Sequence, residues 1–299
     1  MLTADTETQV SLKNILAATD FSSTSETALD YGLEIAQRYN SKIFLAHVID
    51  LGSLALQQPE SALLVAEQSR LAAQEKLRKE VVRFKGVPYE FRLESGVVGD
   101  VLQSLVARDN IDLIVLGTRG AEGIKKLFLG STAEAVFRGV RCPVLTVGPH
   151  ACPHPPHISR ILLPTDLLSD CSMAVRYAAS LAKEHNANLT LLHVMPLFQA
   201  PPPADVLTMK KPLLARLARL LPLHAALPHA ADLVVEFGED PVEHILRLTR
   251  ELPADLVVLS VRRAESWVTH LPDKAFRIVA EASCPVLTIS EQMGLTRGE

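Results

Sequence analysis

Short apolar runs alternate with amphipathic segments along this chain, and the whole alternation occurs twice. In the first half, Ile15–Thr19, Ile43–Val48, Tyr89–Leu93, Leu113–Leu116 and Val144–Val147 read as strands. Between them, Ser25–Tyr39, a long segment near Ser61–Phe84, Gly99–Arg108 and Ser131–Arg138 carry apolar residues at helical spacing. Strands that are apolar throughout and separated by helices belong in a parallel sheet covered on both faces. Each half is therefore expected to be a doubly wound α/β domain.

The repeat can be read letter by letter. Lys13–Asp20 (KNILAATD) returns as Arg160–Asp166 (RILLPTD), and Leu45–Val48 (LAHV) returns as Leu191–Val194 (LLHV), both displaced by 146 residues. Asp112–Leu116 matches Asp255–Leu259, and Cys142–Thr146 (CPVLT) returns unchanged as Cys284–Thr288. Such a period means a duplicated domain, since solenoid repeats run to about 20–50 residues. The His/Pro-rich stretch 149–157 marks the boundary, giving domains at 1–149 and 159–299 joined by a linker at 150–158.

Composition narrows the class. With 299 residues, 48% hydrophobic and 5% aromatic, the chain can build two real cores. A net charge of −4 gives no general attraction to nucleic acid or to acidic membrane surfaces. No stretch approaches a membrane span, and residues 1–11 lack the layout of a signal peptide, so a cytoplasmic location is the expectation.

The candidate chemistry lies after the fourth strand, where Gly117, Gly120 and Gly130 precede Ser131 and Thr132. Glycine lets a ligand approach the main chain closely, and the helix opened by Ser131 would offer unpaired N–H groups to an anion. A tight turn with no ligand is the competing reading. The segment lacks the Gly-Lys-Ser/Thr of a P-loop, and no GxGxxG follows the first strand, so neither a P-loop NTPase nor an ordinary NAD enzyme fits. In a doubly wound sheet, ligands bind beyond the carboxyl ends of the strands, which collects Asp20, Val48 and Gly117 on one edge.

The ATD of strand one, the HV of strand two, the G-x2-G-x9-G-[ST] spacing and the CPVLTV of strand five together resemble the universal stress protein family in its tandem form. The resemblance implies two Rossmann-like domains of the adenine nucleotide alpha hydrolase type, each a five-stranded parallel sheet with helices on both faces. It also implies an ATP site in which Thr19 and Asp20 lie beside the nucleoside and the Val48 backbone reads the adenine edge. Gly117, Gly120, Gly130, Ser131 and Thr132 would then hold ribose and phosphates, Arg119 is a candidate that could reach a phosphate or stay solvated, and a magnesium ion would be carried mainly by the phosphates. The last strands of the two domains, Val144–Val147 and Val286–Ile289, should pair as an intramolecular pseudo-dimer, and a homodimer remains open. From the residues alone, Asp20 could equally be a turn former, Val48 core, His47 and His193 packed structural histidines, and Lys125 and Lys126 solvated loop charges.

The second half departs from this pattern. Ser260 stands at the Gly117 position, Arg263 at Gly120, Pro272 at Gly130 and Asp273 at Ser131. Proline removes a donor and Asp273 puts a negative charge where phosphates would lie, so one ATP site is expected, not two. Arg262 and Arg263 could form another anion site or pair with Glu265 or Asp273. Four cysteines show no CxxC, and the His150–Cys152–His154–His157 linker reads as extended chain ahead of a metal site. With no residue placed to act as base or nucleophile, the expected role is a regulatory, nucleotide-sensitive interaction module with an unknown protein partner, not an enzyme. A scaffold of the same family that binds no nucleotide is the alternative.

Overall fold

The computed structural model describes residues 10–50, 59–118, 136–137, 139–140, 142–152, 157–168, 171–197, 202–222, 227–261 and 273–290. In the first half, strands β1 (Asn14–Ala18), β2 (Lys42–Ile49), β3 (Tyr89–Ser95), β4 (Leu113–Gly117) and β5 (Val144–Val147) alternate with helices α1 (Ser23–Tyr39), α2 (Pro59–Glu80) and α3 (Val98–Arg108). The second half supplies β6 (Arg160–Pro164), β7 (Asn188–Pro196), β8 (Asp232–Gly238), β9 (Leu256–Val261) and β10 (Val286–Ser290). Its helices are α4 (Ser172–His185), α5 (Pro203–Leu220), α6 (Pro241–Glu251) and α7 (Asp273–Glu281). The expected helix at 131–138 lies largely outside the described residues, although Val136 and Phe137 are helical.

All ten strands form one sheet in the order β3-β2-β1-β4-β5-β10-β9-β6-β7-β8. Within each half the pairing is parallel, and the halves meet where β5 and β10 run antiparallel, with Leu145 opposite Leu287. The pairing expected of the last strands is therefore present. It satisfies two edges that would otherwise template aggregation. The threonine of each CPVLT repeat explains itself here: Thr146 Oγ1 donates to the Val286 carbonyl and Thr288 Oγ1 to the Val144 carbonyl, each at 3.1 Å and buried. A hydroxyl in an otherwise apolar strand is tolerated because the facing strand accepts from it.

Strand residues alternate between two cores. Ile15, Ala17 and Leu45 join Leu29 of α1, Leu77 of α2, Ala178 of α4 and Leu217 of α5 on one face. Leu16, Phe44 and Ile114 join Leu102 of α3, Ile245 of α6 and Val279 of α7 on the other. Both cores run across the β5–β10 seam without a break. Helix ends are set locally: Ser22 caps α1 by accepting from the Ser25 N–H, and the equivalent residues Asn40 and Asn186 close α1 and α4 in the left-handed conformation. Sequence periodicity places the helix starts two residues late at α1 and α2, and a 3₁₀ turn, Val81–Arg83, completes the second segment.

Over the seam, α1 and α4 are joined by polar contacts between the halves. Tyr39 donates its hydroxyl to the Glu184 carboxylate, and Arg38 donates to the Glu184 carbonyl. The Ser180 hydroxyl donates to the same carboxylate at 3.0 Å and accepts the Val10 N–H at 3.2 Å. His185 is buried at 6% exposure, which pushes its imidazole down to about 4.

Leu287 is 4% exposed at the centre of the seam. Leu287→Asp should cost at least roughly 3 kcal/mol, since it buries an unpaired charge. Hydrogen exchange should then quicken in β1 and β6 together; loss confined to the second half would contradict a shared core. A second expectation concerns pH. His185 is neutral when folded and titrates near 6.5 when unfolded, so the unfolded state binds the extra proton and stability falls as pH drops from 6.5 towards 4. The full loss is roughly 3 kcal/mol. Urea midpoints between pH 7 and 5 should fall for the parent, and the slope should flatten in His185→Phe. His47, shifted in the same direction, adds to the slope that remains.

Candidate functional site

The strand order within the first half, β3-β2-β1-β4-β5, reverses direction between β1 and β4, and their carboxyl ends form the crevice where doubly wound sheets bind ligands. Thr19 and Asp20 follow β1, Val48 is the penultimate residue of β2, and Gly117 ends β4. These four residues share one edge, as expected. Arg119, Gly120, Gly130, Ser131 and Thr132 lie outside the described residues, as do Lys125, Lys126, Arg262, Arg263 and Pro272.

Thr19 and Asp20 build a tight turn. The Thr19 N–H donates to the Ala46 carbonyl, its Oγ1 accepts the Phe21 N–H at 2.9 Å, and Asp20 Oδ1 accepts the Ser22 N–H at 3.0 Å. Phe21 sits at φ 63°, a left-handed conformation that a bulky residue rarely adopts. His47 locks the turn from β2, its Nδ1–H donating to the Thr19 carbonyl at 2.8 Å. Burial holds this imidazole below its usual range, and the nearby Lys76 ammonium adds to the effect. His47 is thus a neutral, structural histidine.

The same turn is built a second time. Thr165 N–H donates to the Leu192 carbonyl, Thr165 Oγ1 accepts from Leu167, Asp166 Oδ1 accepts from Leu168, and His193 Nδ1–H donates to the Thr165 carbonyl at 2.9 Å. Leu167 has φ 58° where Phe21 has 63°. Asp20 and Asp166 therefore each form a turn while remaining exposed. Val48 is half-buried, its side chain against the second core, so only its main chain is offered at this edge.

Gly117 has a reason of its own. A Cβ there would lie 3.0 Å from the Thr24 carbonyl carbon and 3.1 Å from the Ser25 nitrogen, so α1 can start directly over the end of β4 only because the side chain is missing. Strand register sets Gly117 against Val147 and Ser260 against Ile289, which confirms Ser260 as its counterpart. There α4 begins at Ser172, the equivalent of Glu26, three residues later than α1.

Two features escape motif reading. Lys76 of α2 places its Nζ 4.8 Å from the centre of the Phe21 ring, which itself lies 4.5 Å from the His47 ring, bringing a cation to the crevice from a helix with no motif. Thr118, next along from Gly117, is 2% exposed with no hydrogen-bond partner for its hydroxyl among the described residues. In the second half Arg216 of α5 donates to the Leu167 carbonyl at 2.5 Å, bracing the turn that Lys76 covers in the first.

The universal stress protein family model matches residues 11–148 and again 157–290. The chain belongs to the universal stress protein family. A universal stress protein of Methanocaldococcus jannaschii is 30% identical over 138 residues, spanning 45% of this chain and 81% of its own, and a family member from Staphylococcus aureus is 33% identical over 142 residues, spanning 46% and 85%. Each relative thus matches about one half of the tandem. A crystal structure of an Archaeoglobus fulgidus universal stress protein aligns over 93% of this chain and 98% of its own, with TM-score 0.65 and 21% identity, which shows the shared two-domain fold. Among the described residues of this universal stress protein, no helix is long and apolar enough to cross a membrane. None of the four cysteines is in a disulfide, and burial pushes the Cys142 and Cys284 thiols up to about 12, in line with packed, unreactive side chains.

Gly117→Ala should destabilise this universal stress protein by about 1–3 kcal/mol, because backbone atoms of α1 must move to admit the methyl group. A urea midpoint unchanged from the parent would show that Gly117 is not needed for packing.

Proposed function

We propose that this universal stress protein binds ATP, with magnesium, in its N-terminal half and works as a nucleotide-sensitive interaction module, not as an enzyme. The observation that carries this reading is the convergence at one switch point of the exposed Asp20 carboxylate, the Val48 main chain, the Lys76 ammonium and the end of β4 at Gly117. Gly117 leads directly into the sequence that contains Arg119, Gly120, Gly130, Ser131 and Thr132. Asp20 suits a ribose hydroxyl, the Val48 backbone an adenine edge, and the glycine-rich segment with its hydroxyl residues a phosphate chain. Lys76 supplies a positive charge that neither glycine nor hydroxyl can. Magnesium would be bound chiefly by the phosphates, as suits an ion that keeps much of its water.

Fast hydrolysis is not part of the proposal. His47 spends its Nδ1–H on the Thr19 carbonyl and is held neutral by burial, and Asp20 is engaged in its turn. A scaffold reading is favoured for the second half by Ser260 in β9 and by Pro272 and Asp273 in the sequence that follows. There the turn, the aspartate and the histidine are retained without the glycines.

Calorimetric titration of nucleotide-stripped protein with Mg-ATP should give one site per chain. Gly130→Arg should abolish binding, and Lys76→Ala should weaken it severalfold while leaving the fold intact by circular dichroism. Absence of heat with no retained nucleotide would establish the scaffold reading, and two sites would show the second half to be competent.

A further inference from the structure

A cavity of about 60 Å³ lies at the seam between the halves, beneath α1 and α4 and above the paired residues Leu145 and Leu287. Its walls come in repeat-equivalent pairs, Tyr31 with Tyr177, Ile35 with Leu181, and Tyr39 with His185. We propose that this cavity is a second ligand site, for a small uncharged organic molecule carrying one hydroxyl group, held jointly by the two halves. The site is remote from the crevice of the ATP reading and does not depend on it.

The polar inventory of the walls supports this chemistry. Tyr31 donates its hydroxyl to the Cys152 carbonyl at 3.1 Å, and Tyr39 and Arg38 are committed to Glu184. The Asp255 carboxylate accepts the backbone N–H groups of Ser159 and Arg160 at 2.8 and 2.9 Å. His185 is different: 94% of it is buried, and its Nδ1 has no hydrogen-bond partner among the described residues. A buried polar atom without a partner is rare and calls for an explanation. His185 is itself part of the cavity wall.

Water meets this need less well, because an ordered water needs two to four polar partners and Leu, Ile and aromatic side chains make up most of the wall. A charged ligand would exchange its hydration for Leu, Ile and aromatic walls. A hydroxyl on a compact carbon frame meets both demands, with the hydroxyl on Nδ1 and the frame against Ile35, Leu181 and Leu287. The cavity is partly open, and the exposed Glu34 and Arg38 border it, so a six-membered ring can extend towards solvent. Tyr39 and His157 add ring faces around His185, with centroids 6.4 and 6.0 Å away.

The test uses the full chain with phenol and toluene, which share a ring and differ by the hydroxyl. Phenol should raise the melting temperature in a saturable way and bind about three- to tenfold more tightly than toluene, the range expected for one hydrogen bond. His185→Phe should erase that difference, and Leu181→Phe, which fills the cavity, should weaken both ligands. Should Leu181→Phe fail to fold, a crystal soaked in 4-bromophenol should show anomalous bromine density beside His185 in the parent. Equal affinity for phenol and toluene in the parent, unchanged phenol binding in His185→Phe, or bromine density only elsewhere would each overturn the proposal.

Discussion

The antiparallel pairing of β5 with β10 is the contact on which the rest of the molecule depends. Each half alone is a parallel sheet whose last strand would stand unpaired, its ladder groups open and its outer core exposed. Joining the two strands satisfies both ladders, buries Thr146 and Thr288 against carbonyls of the facing strand, and lets both apolar layers continue through the junction. The unit that stabilises this protein is therefore the ten-stranded sheet. The geometry of the crevice is secured by the same sheet, because β4, which ends at Gly117, has β5 as its outer neighbour.

Much of this was legible in the sequence because the duplication repeats its own rules. Apolar runs marked the strands to within a residue or two, and CPVLT identified the strand of the seam twice over. The turn after β1 was legible as Thr-Asp in both halves, although its hydrogen bonds and the left-handed Phe21 and Leu167 were not. Positive φ at a large apolar residue has no letter code; it is imposed by two side-chain acceptors and a histidine from the neighbouring strand. Lys76 and Arg216 were invisible for a related reason. They reach the turn from helices far along the chain, and helical periodicity assigns a residue to a face without saying what that face meets.

Gly117 teaches the opposite lesson. Its place in a glycine-rich stretch drew attention to ligand access, yet the first turn of α1 is a sufficient physical reason for glycine at that point. The difference between the halves is then more than a change of loop residues. With α4 starting three residues later, the second half has a different helix entry, and a serine stands where the first half has glycine. Packing and the shape of the crevice are coupled here, since the helix that requires Gly117 also starts at the crevice.

The pair Arg38 and Glu184 occupies equivalent positions of the repeat with opposite charge, and each is used across the seam. If two copies of the first half met through β5, the Tyr39 hydroxyl would find a guanidinium where it now finds a carboxylate. Two copies of the second half would bring Glu184 against Glu184. The Tyr39–Glu184 hydrogen bond across this near-symmetric junction thus exists only in the unlike combination. Duplication thus let one residue of each copy diverge into a donor and its acceptor, a pairing that two identical halves would lack.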